Sequence, residues 1–72
     1  MTMDEIVIGQ EVVIVRPDPD YWSSCLVAGY KGTVLSKNVE RGQITIDYSA
    51  LKIPGIADIP YVEPDRCEAA PT

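Results

Sequence analysis

Apolar and polar residues alternate most regularly over residues 43–48. Ile44, Ile46 and Tyr48 would lie on one face of an extended chain, and the residues between them are polar. A period of two is typical of a β-strand with one face buried. The pattern therefore predicts a strand over 43–48 with these three side chains pointing the same way.

A second apolar run covers residues 10–16 and is too short for a helix. Val12 and Ile14 share one face, Val13 and Val15 share the other, and Pro17 closes the run. Proline cannot donate to a strand ladder and usually lies at the end or edge of a strand. We predict a first strand here, with its outer face either covered or exposed for a partner.

Three further strands are predicted over 33–36, 56–62 and 67–69. Pro60 interrupts the second of these, which favours an edge strand or a bulged one. Segment 63–66 suits a 3₁₀ turn before the last strand. Segment 37–42 is a predicted hairpin loop in which Asn38 and Gly42 adopt positive φ.

The first long connection starts with the turn residues Asp18, Pro19 and Asp20, whose carboxylates can accept backbone N–H groups. Segment 21–26 could form a single helical turn, but it is too short for a stable helix. We interpret it as an ordered loop whose aromatic side chains fold back onto the sheet. Gly29 and Gly32 follow, where glycine allows positive φ or a close approach.

The composition supports an all-β protein. The 72 residues allow one domain at most, branched Val and Ile exceed Leu, and Phe is absent. We predict a partly ordered N-terminal extension over 1–8 with a frayed polar start, one domain over 9–69, and a flexible tail over 70–72.

Two short motifs and the order of the segments resemble known small barrels. The stretch 29–35, Gly-Tyr-Lys-Gly-Thr-Val-Leu, resembles the core of a KOW motif, found in ribosomal and transcription-elongation proteins. Segments 15–22 and 32–34 resemble the opening of the SH3-like barrel protein of photosystem I, and 62–68 is similar to the 3₁₀ helix and last strand of SH3-like barrels. The resemblance implies a small five-stranded SH3-like barrel with a short 3₁₀ turn before the last strand. It implies no functional residues.

Charge and residue content argue against several functions. The net charge is −5 and the six basic residues are scattered, whereas nucleic-acid binding needs a concentrated basic patch. Histidine is absent, and Cys25 and Cys67 do not form a Cys-x-x-Cys pair. Asp18 and Asp20 could instead share a divalent cation, although turn capping is favoured. We predict no catalytic residue, no cofactor and no metal.

The amino-terminal residues lack a secretory pattern, and no apolar stretch approaches the roughly 20 residues that span a bilayer. We expect a cytoplasmic protein with reduced cysteines and no membrane partner.

Aromatic residues in the first connection indicate an interaction role. Trp22 either lines a groove for a partner or caps one end of the barrel. Ile53, Ile56, Ile59 and Tyr61 are many apolar groups for an edge strand and its loop, so some are expected to be exposed, for docking or for a homodimer. The predicted partner contacts are Arg16, Asp18, Asp20, Tyr21, Trp22, Tyr30 and Lys31.

The sequence thus favours a non-enzymatic protein–protein interaction module, acting as an accessory subunit or a small regulator or inhibitor that docks on a larger protein. The alternative is a KOW-like nucleic-acid or ribosome-binding domain, with Tyr30 stacking on bases and Arg16, Lys31, Lys37 and Arg41 on phosphates. A third hypothesis is an enzyme whose site is shared between several copies.

Overall fold

The computed structural model describes residues 1–71 as a small all-β protein with one five-stranded antiparallel sheet, as predicted. The sheet order is β4-β3-β2-β1-β5. The strands are β1 (Glu11–Ile14), β2 (Lys31–Asn38), β3 (Gln43–Asp47), β4 (Asp58–Val62) and β5 (Cys67–Ala69). One short helix, α1 (Trp22–Val27), and three 3₁₀ turns, Met3–Glu5, Ser49–Leu51 and Pro64–Arg66, complete the described elements.

The sheet curves around a single core built from the inner face of every strand. Val12 and Ile14 share it with Val34, Ile44 and Ile46, all 1% exposed or less. This confirms the alternation predicted for β1 and β3. Within residues 1–71 no ladder joins β4 to β5, so the sheet stays open at that seam.

The amino-terminal segment packs against the core. Met3–Glu5 forms a 3₁₀ turn, and the Ile6 side chain is 1% exposed within the core. Lys37 Nζ donates to the Ile6 carbonyl at 2.9 Å. Burial of Ile6 stabilises the segment. The sequence does not single Ile6 out, because Val7 and Ile8 are equally apolar and yet are exposed. At the other end, the Ala70 N–H donates to the Glu11 carbonyl at 3.0 Å, while Thr72 of the predicted tail lies outside the described residues.

Gly32 lies on the inner face of β2, beneath the ring of Tyr48. A Cβ at this position would lie 2.6 Å from Tyr48 Cε1 and would also collide with the Ile46 side chain. Gly32 has no positive φ, whereas Gly29 does, at 88°. Of the two roles that the sequence allowed for these glycines, Gly29 therefore provides backbone freedom and Gly32 provides space.

The Tyr48 hydroxyl is buried, and no group within residues 1–71 forms a hydrogen bond with it. An unpaired buried hydroxyl costs free energy because it has left water without compensation. We therefore expect Tyr48→Phe to raise the free energy of unfolding by about 1 kcal/mol in urea denaturation. The exposed Tyr30→Phe is the matched control and should change nothing; a less stable Tyr48→Phe would contradict the prediction.

Three local predictions need correction or refinement. Segment 21–26 is not a loop, since α1 spans Trp22–Val27. Gly42 has the expected positive φ of 66°, but Asn38 does not; it is the last residue of β2, and its side chain accepts the Arg41 N–H at 3.2 Å. β2 is longer than predicted, while β1 and β4 are shorter.

β4 is both an edge strand and a bulged one, as Pro60 indicated. Ile46 pairs with Ile59 and Ile44 pairs with Val62, so β4 has one extra residue in this interval. Tyr61 lies in the interval with a φ of 69°. The extra residue shifts the alternation, because Ile59 and Val62 are both buried while Tyr61 is 61% exposed.

Candidate interaction surface

Asp18 and Ser24 hold the connection between β1 and α1 in place. The Ser24 hydroxyl accepts the Asp18 N–H at 3.0 Å and donates to the Tyr21 carbonyl at 2.8 Å. Asp18 Oδ1 accepts the Asp20 N–H at 2.9 Å, which is the predicted turn bond. Asp18 is therefore occupied in shaping the loop, and Asp20 remains exposed beside it.

Helix α1 has one buried and one exposed face. Ser24 and Val27 point into the protein, while Trp22 and Leu26 are 68% and 46% exposed. Residues separated by four positions lie on the same side of a helix. Trp22 and Leu26 therefore form an apolar pair on the outer face, and Trp22 is not buried as a cap on the core.

Tyr21 points away from this pair and packs against Tyr61 of β4. The two ring centroids are 6.5 Å apart, with an angle of 75° between the ring planes. Burial raises the pKa of the Tyr21 phenol, and Tyr61 and Asp58 nearby add to this effect. We call Tyr21, Tyr61 and Asp58 the aromatic corner.

Tyr61 adopts the left-handed backbone region, which is unfavourable for a bulky residue. Its φ of 69° is one of two positive values among the described non-glycine residues, with Lys52. Such a conformation costs of order 1–3 kcal/mol and persists only where surrounding contacts impose it. Here the β4 bulge imposes it, and the result is a tyrosine ring that faces outward.

Arg16 and Lys37 are both engaged with main-chain carbonyls. Arg16 Nη2 donates to the Asp65 carbonyl, and Arg66 Nη1 donates back to the Arg16 carbonyl at 3.1 Å. These hydrogen bonds connect the segment just after β1 to the last 3₁₀ turn. Arg16, predicted as a partner contact, thus has a structural role, and Lys37 bonds the Ile6 carbonyl.

Tyr30 and Lys31 lie at the start of β2, where both are exposed. Lys31 pairs with Val13 of β1, and Val13 pairs with Glu68 of β5, so the three residues form a row on the outer face. Val13 is half-buried and Val15 is 43% exposed. The outer face of β1 is therefore partly open.

The apolar residues of the C-terminal half divide into two groups. Ile59 is buried, and Ile53 and Ile56 pack against the core while remaining partly exposed. Tyr61 is the member that is mainly exposed. The broad exposed patch expected here is thus reduced to one ring at the edge of the sheet.

Sequence reasoning missed two exposed residues of this surface, Leu26 and Asp58, and it named Tyr61 only within a group of four apolar residues of which some would be exposed. Leu26 follows Trp22 by four positions, a helical spacing that would have indicated it if the helix had been accepted. Pro60 signalled the irregularity that turns Tyr61 outward. No sequence pattern places Tyr61 next to Tyr21.

Within residues 1–71, no group of three His, Cys, Asp or Glu side chains converges. Cys25 is exposed and Cys67 is buried, and both are free thiols. Among the helices of residues 1–71, none has the length and apolar character needed to cross a membrane.

Comparison with known proteins gives no relative: no family model, curated protein or solved structure matches this chain. The resemblances to KOW motifs and to the photosystem I barrel protein therefore stay predictions. Any assignment of function has to rest on the surface itself.

Proposed function

We propose that this protein is a non-enzymatic cytoplasmic interaction module that docks on a larger protein through the outer face of α1 and the aromatic corner. It would act there as an accessory subunit or a small regulator. The observation that carries this proposal is the 68% exposure of Trp22 on a helix held by buried side chains. Tryptophan and tyrosine are enriched among the residues that dominate binding energy in protein interfaces.

The packing of α1 supports the proposal. Ser24 and Val27 anchor the helix, and the Ser24 hydroxyl ties it to the preceding turn. A side chain displayed on an anchored element loses less conformational entropy on binding than one on a mobile loop. Trp22 and Leu26 are therefore presented as a pre-organised apolar pair.

Nucleic-acid or ribosome binding remains the alternative, but the charge arrangement favours it less. Arg16 and Lys37 already donate to main-chain carbonyls. These bonds fix the positions of Arg16 and Lys37 without removing their charges, and all four bases invoked for phosphate contacts lie on a protein with a net charge of −5. A gel shift with RNA or DNA at low salt tests this alternative, since phosphate binding is strongest there.

We expect Trp22→Ala to weaken partner binding by about tenfold or more while leaving folding intact. Truncating a central interface aromatic typically costs about 2 kcal/mol or more of binding free energy, and an exposed side chain contributes little to the core. Partners captured from the native host are identified by mass spectrometry and then titrated as purified proteins against both variants. Thermal melting of the free variants measures folding.

Ile8→Ala is the matched control, because Ile8 is 61% exposed and lies in a turn whose Gly9 N–H donates to the Val34 carbonyl in the middle of β2 and not to α1. This variant should bind like the unaltered protein. If Trp22→Ala binds normally, or if it melts at a clearly lower temperature, Trp22 is not the anchor of an interface.

A further inference from the structure

The bulge in β4 has a specific consequence for Tyr61. In a regular strand with Ile59 pointing inward, Tyr61 would also point inward, since side chains alternate. The extra residue between the Ile46–Ile59 and Ile44–Val62 pairs reverses this and turns the ring outward. Bulges commonly re-aim a side chain next to a functional site.

The outward ring completes a corner with two nearly perpendicular aromatic surfaces. Tyr21 and Tyr61 meet at 75° with centroids 6.5 Å apart. Asp58 lies on the same strand, three residues before Tyr61, and is exposed. The corner therefore combines two aromatic rings with a carboxylate.

Asp58 is also a charge without a counter-ion in the described structure. Within residues 1–71 it has no basic side chain within salt-bridge distance. Its cross-strand neighbour is Asp47 of β3, a second acid. Like charges placed opposite each other in a ladder are unfavourable, so a bound cation would relieve this repulsion.

Cations are attracted to the faces of aromatic rings and to carboxylates. Arginine suits this corner better than lysine, because its planar guanidinium stacks on rings, binds carboxylates through two N–H groups and is weakly hydrated. The net charge of −5 would also steer a basic partner toward the protein. We propose that Tyr21, Tyr61 and Asp58 bind an arginine side chain on a basic partner protein; this inference rests on the function proposed above.

The test uses a blocked pentapeptide of four glycines with a central arginine, titrated into the full chain and followed through the NMR signals of the Tyr21 and Tyr61 rings. Two matched peptides carry lysine or the neutral analogue citrulline. We expect the arginine peptide to bind most tightly and the citrulline peptide to bind at least about threefold more weakly. Equal binding of the citrulline peptide, or tighter binding of the lysine peptide, would overturn the proposal.

Two variants locate the site. Tyr61→Asn removes the ring but keeps a residue that tolerates positive φ, and we expect it to weaken arginine binding about 3- to 30-fold without lowering the melting temperature. Asp58→Asn should weaken binding, while Glu68→Gln, which removes the same charge from β5 at the other edge, should not. Equal effects of Asp58→Asn and Glu68→Gln would reveal only nonspecific attraction and would overturn the site.

The outcome is separable from that of the proposed function. If binding of a partner requires Trp22 but neither Tyr61→Asn nor Asp58→Asn weakens it, the docking function is supported and the arginine site is contradicted. If the arginine peptide binds as described while Trp22→Ala weakens binding of no partner, the arginine site is supported and docking through α1 is contradicted.

Discussion

Gly32→Ala is expected to lower the free energy of unfolding by about 3 kcal/mol, the upper end of the usual cost of overpacking a core. The new methyl group would lie 2.6 Å from the Tyr48 ring and would collide with Ile46. A tyrosine ring cannot bend away, and both neighbours are 1% exposed or less. The sheet itself would have to shift to make room. Urea denaturation followed by circular dichroism measures the loss.

Thr33→Ala is the control for this experiment. Thr33 is the next residue of β2, on the outer face, and it is only partly buried. This variant tests whether the lower free energy of unfolding comes from strand propensity. We expect Thr33→Ala to change the free energy of unfolding by only a few tenths of a kcal/mol. A Gly32→Ala protein as stable as the Thr33→Ala protein would show that the core accommodates the methyl group.

Stability is expected to fall as the pH rises above 9, because two buried acids resist ionisation in the folded state. Burial raises the pKa of the Cys67 thiol from its ordinary 9.0 to about 11. Burial also raises the pKa of the Tyr48 phenol well above its ordinary 10.0. Between pH 9 and 11 the unfolded chain releases the Cys67 proton while the folded protein keeps it. High pH therefore favours unfolding.

The expected slope follows from the number of protons released. The free energy of unfolding should fall by about 1.4 kcal/mol per pH unit above pH 9, and the fall should steepen above pH 10 as Tyr48 of the unfolded chain ionises. Over the roughly two pH units between the pKa of the unfolded thiol and that of the folded thiol, Cys67 alone contributes about 3 kcal/mol. Urea midpoints measured from pH 7 to 11 under reducing conditions provide the curve.

Two variants show which residue causes each part of the stability–pH curve. Cys67→Ala should remove the fall between pH 9 and 10, and Tyr48→Phe should remove most of the steepening above pH 10. Tyr21, whose phenol pKa is also raised, accounts for the remainder. Both residues are 1% exposed, so each substitution is also compared with the parent protein at pH 7. Stability that stays constant or rises up to pH 11 would contradict the assigned burial of both groups.

Period-two patterning predicted the inner face of the sheet well. Ile44, Ile46 and Tyr48 were expected to share one face, and all three are buried. Pro60 indicated an edge or bulged strand, and β4 is both. These predictions succeeded because side-chain alternation and the missing N–H of proline are properties of the local chain.

The helix could not be predicted in the same way. An isolated six-residue helix is unstable because nucleation costs more than so few hydrogen bonds return. In the folded protein, Val27 is buried in the core, and the Ser24 hydroxyl bonds to Asp18 and Tyr21. The burial of Val27 together with these local hydrogen bonds stabilises α1 and leaves Trp22 on its outer face.

The residues of the candidate site were likewise predictable from the sequence only in part. Tyr21 and Trp22 were proposed as contacts because they are aromatic residues in a connection, and Trp22 is exposed. Tyr61 was named only within the apolar group of the C-terminal half and Asp58 was not named, because nothing in the order of residues brings β4 beside the first connection. Arg16 was also proposed as a contact; it is exposed and bonds to the last 3₁₀ turn, and its contact with a partner stays a prediction.

The sequence by itself determined that this protein is built of short strands and which alternate residues enter the core, because both depend on neighbours in the chain. Only the tertiary structure decided that Tyr61 points outward and meets Tyr21. That decision depends on the register between β3 and β4, where one extra residue reverses the direction of a side chain.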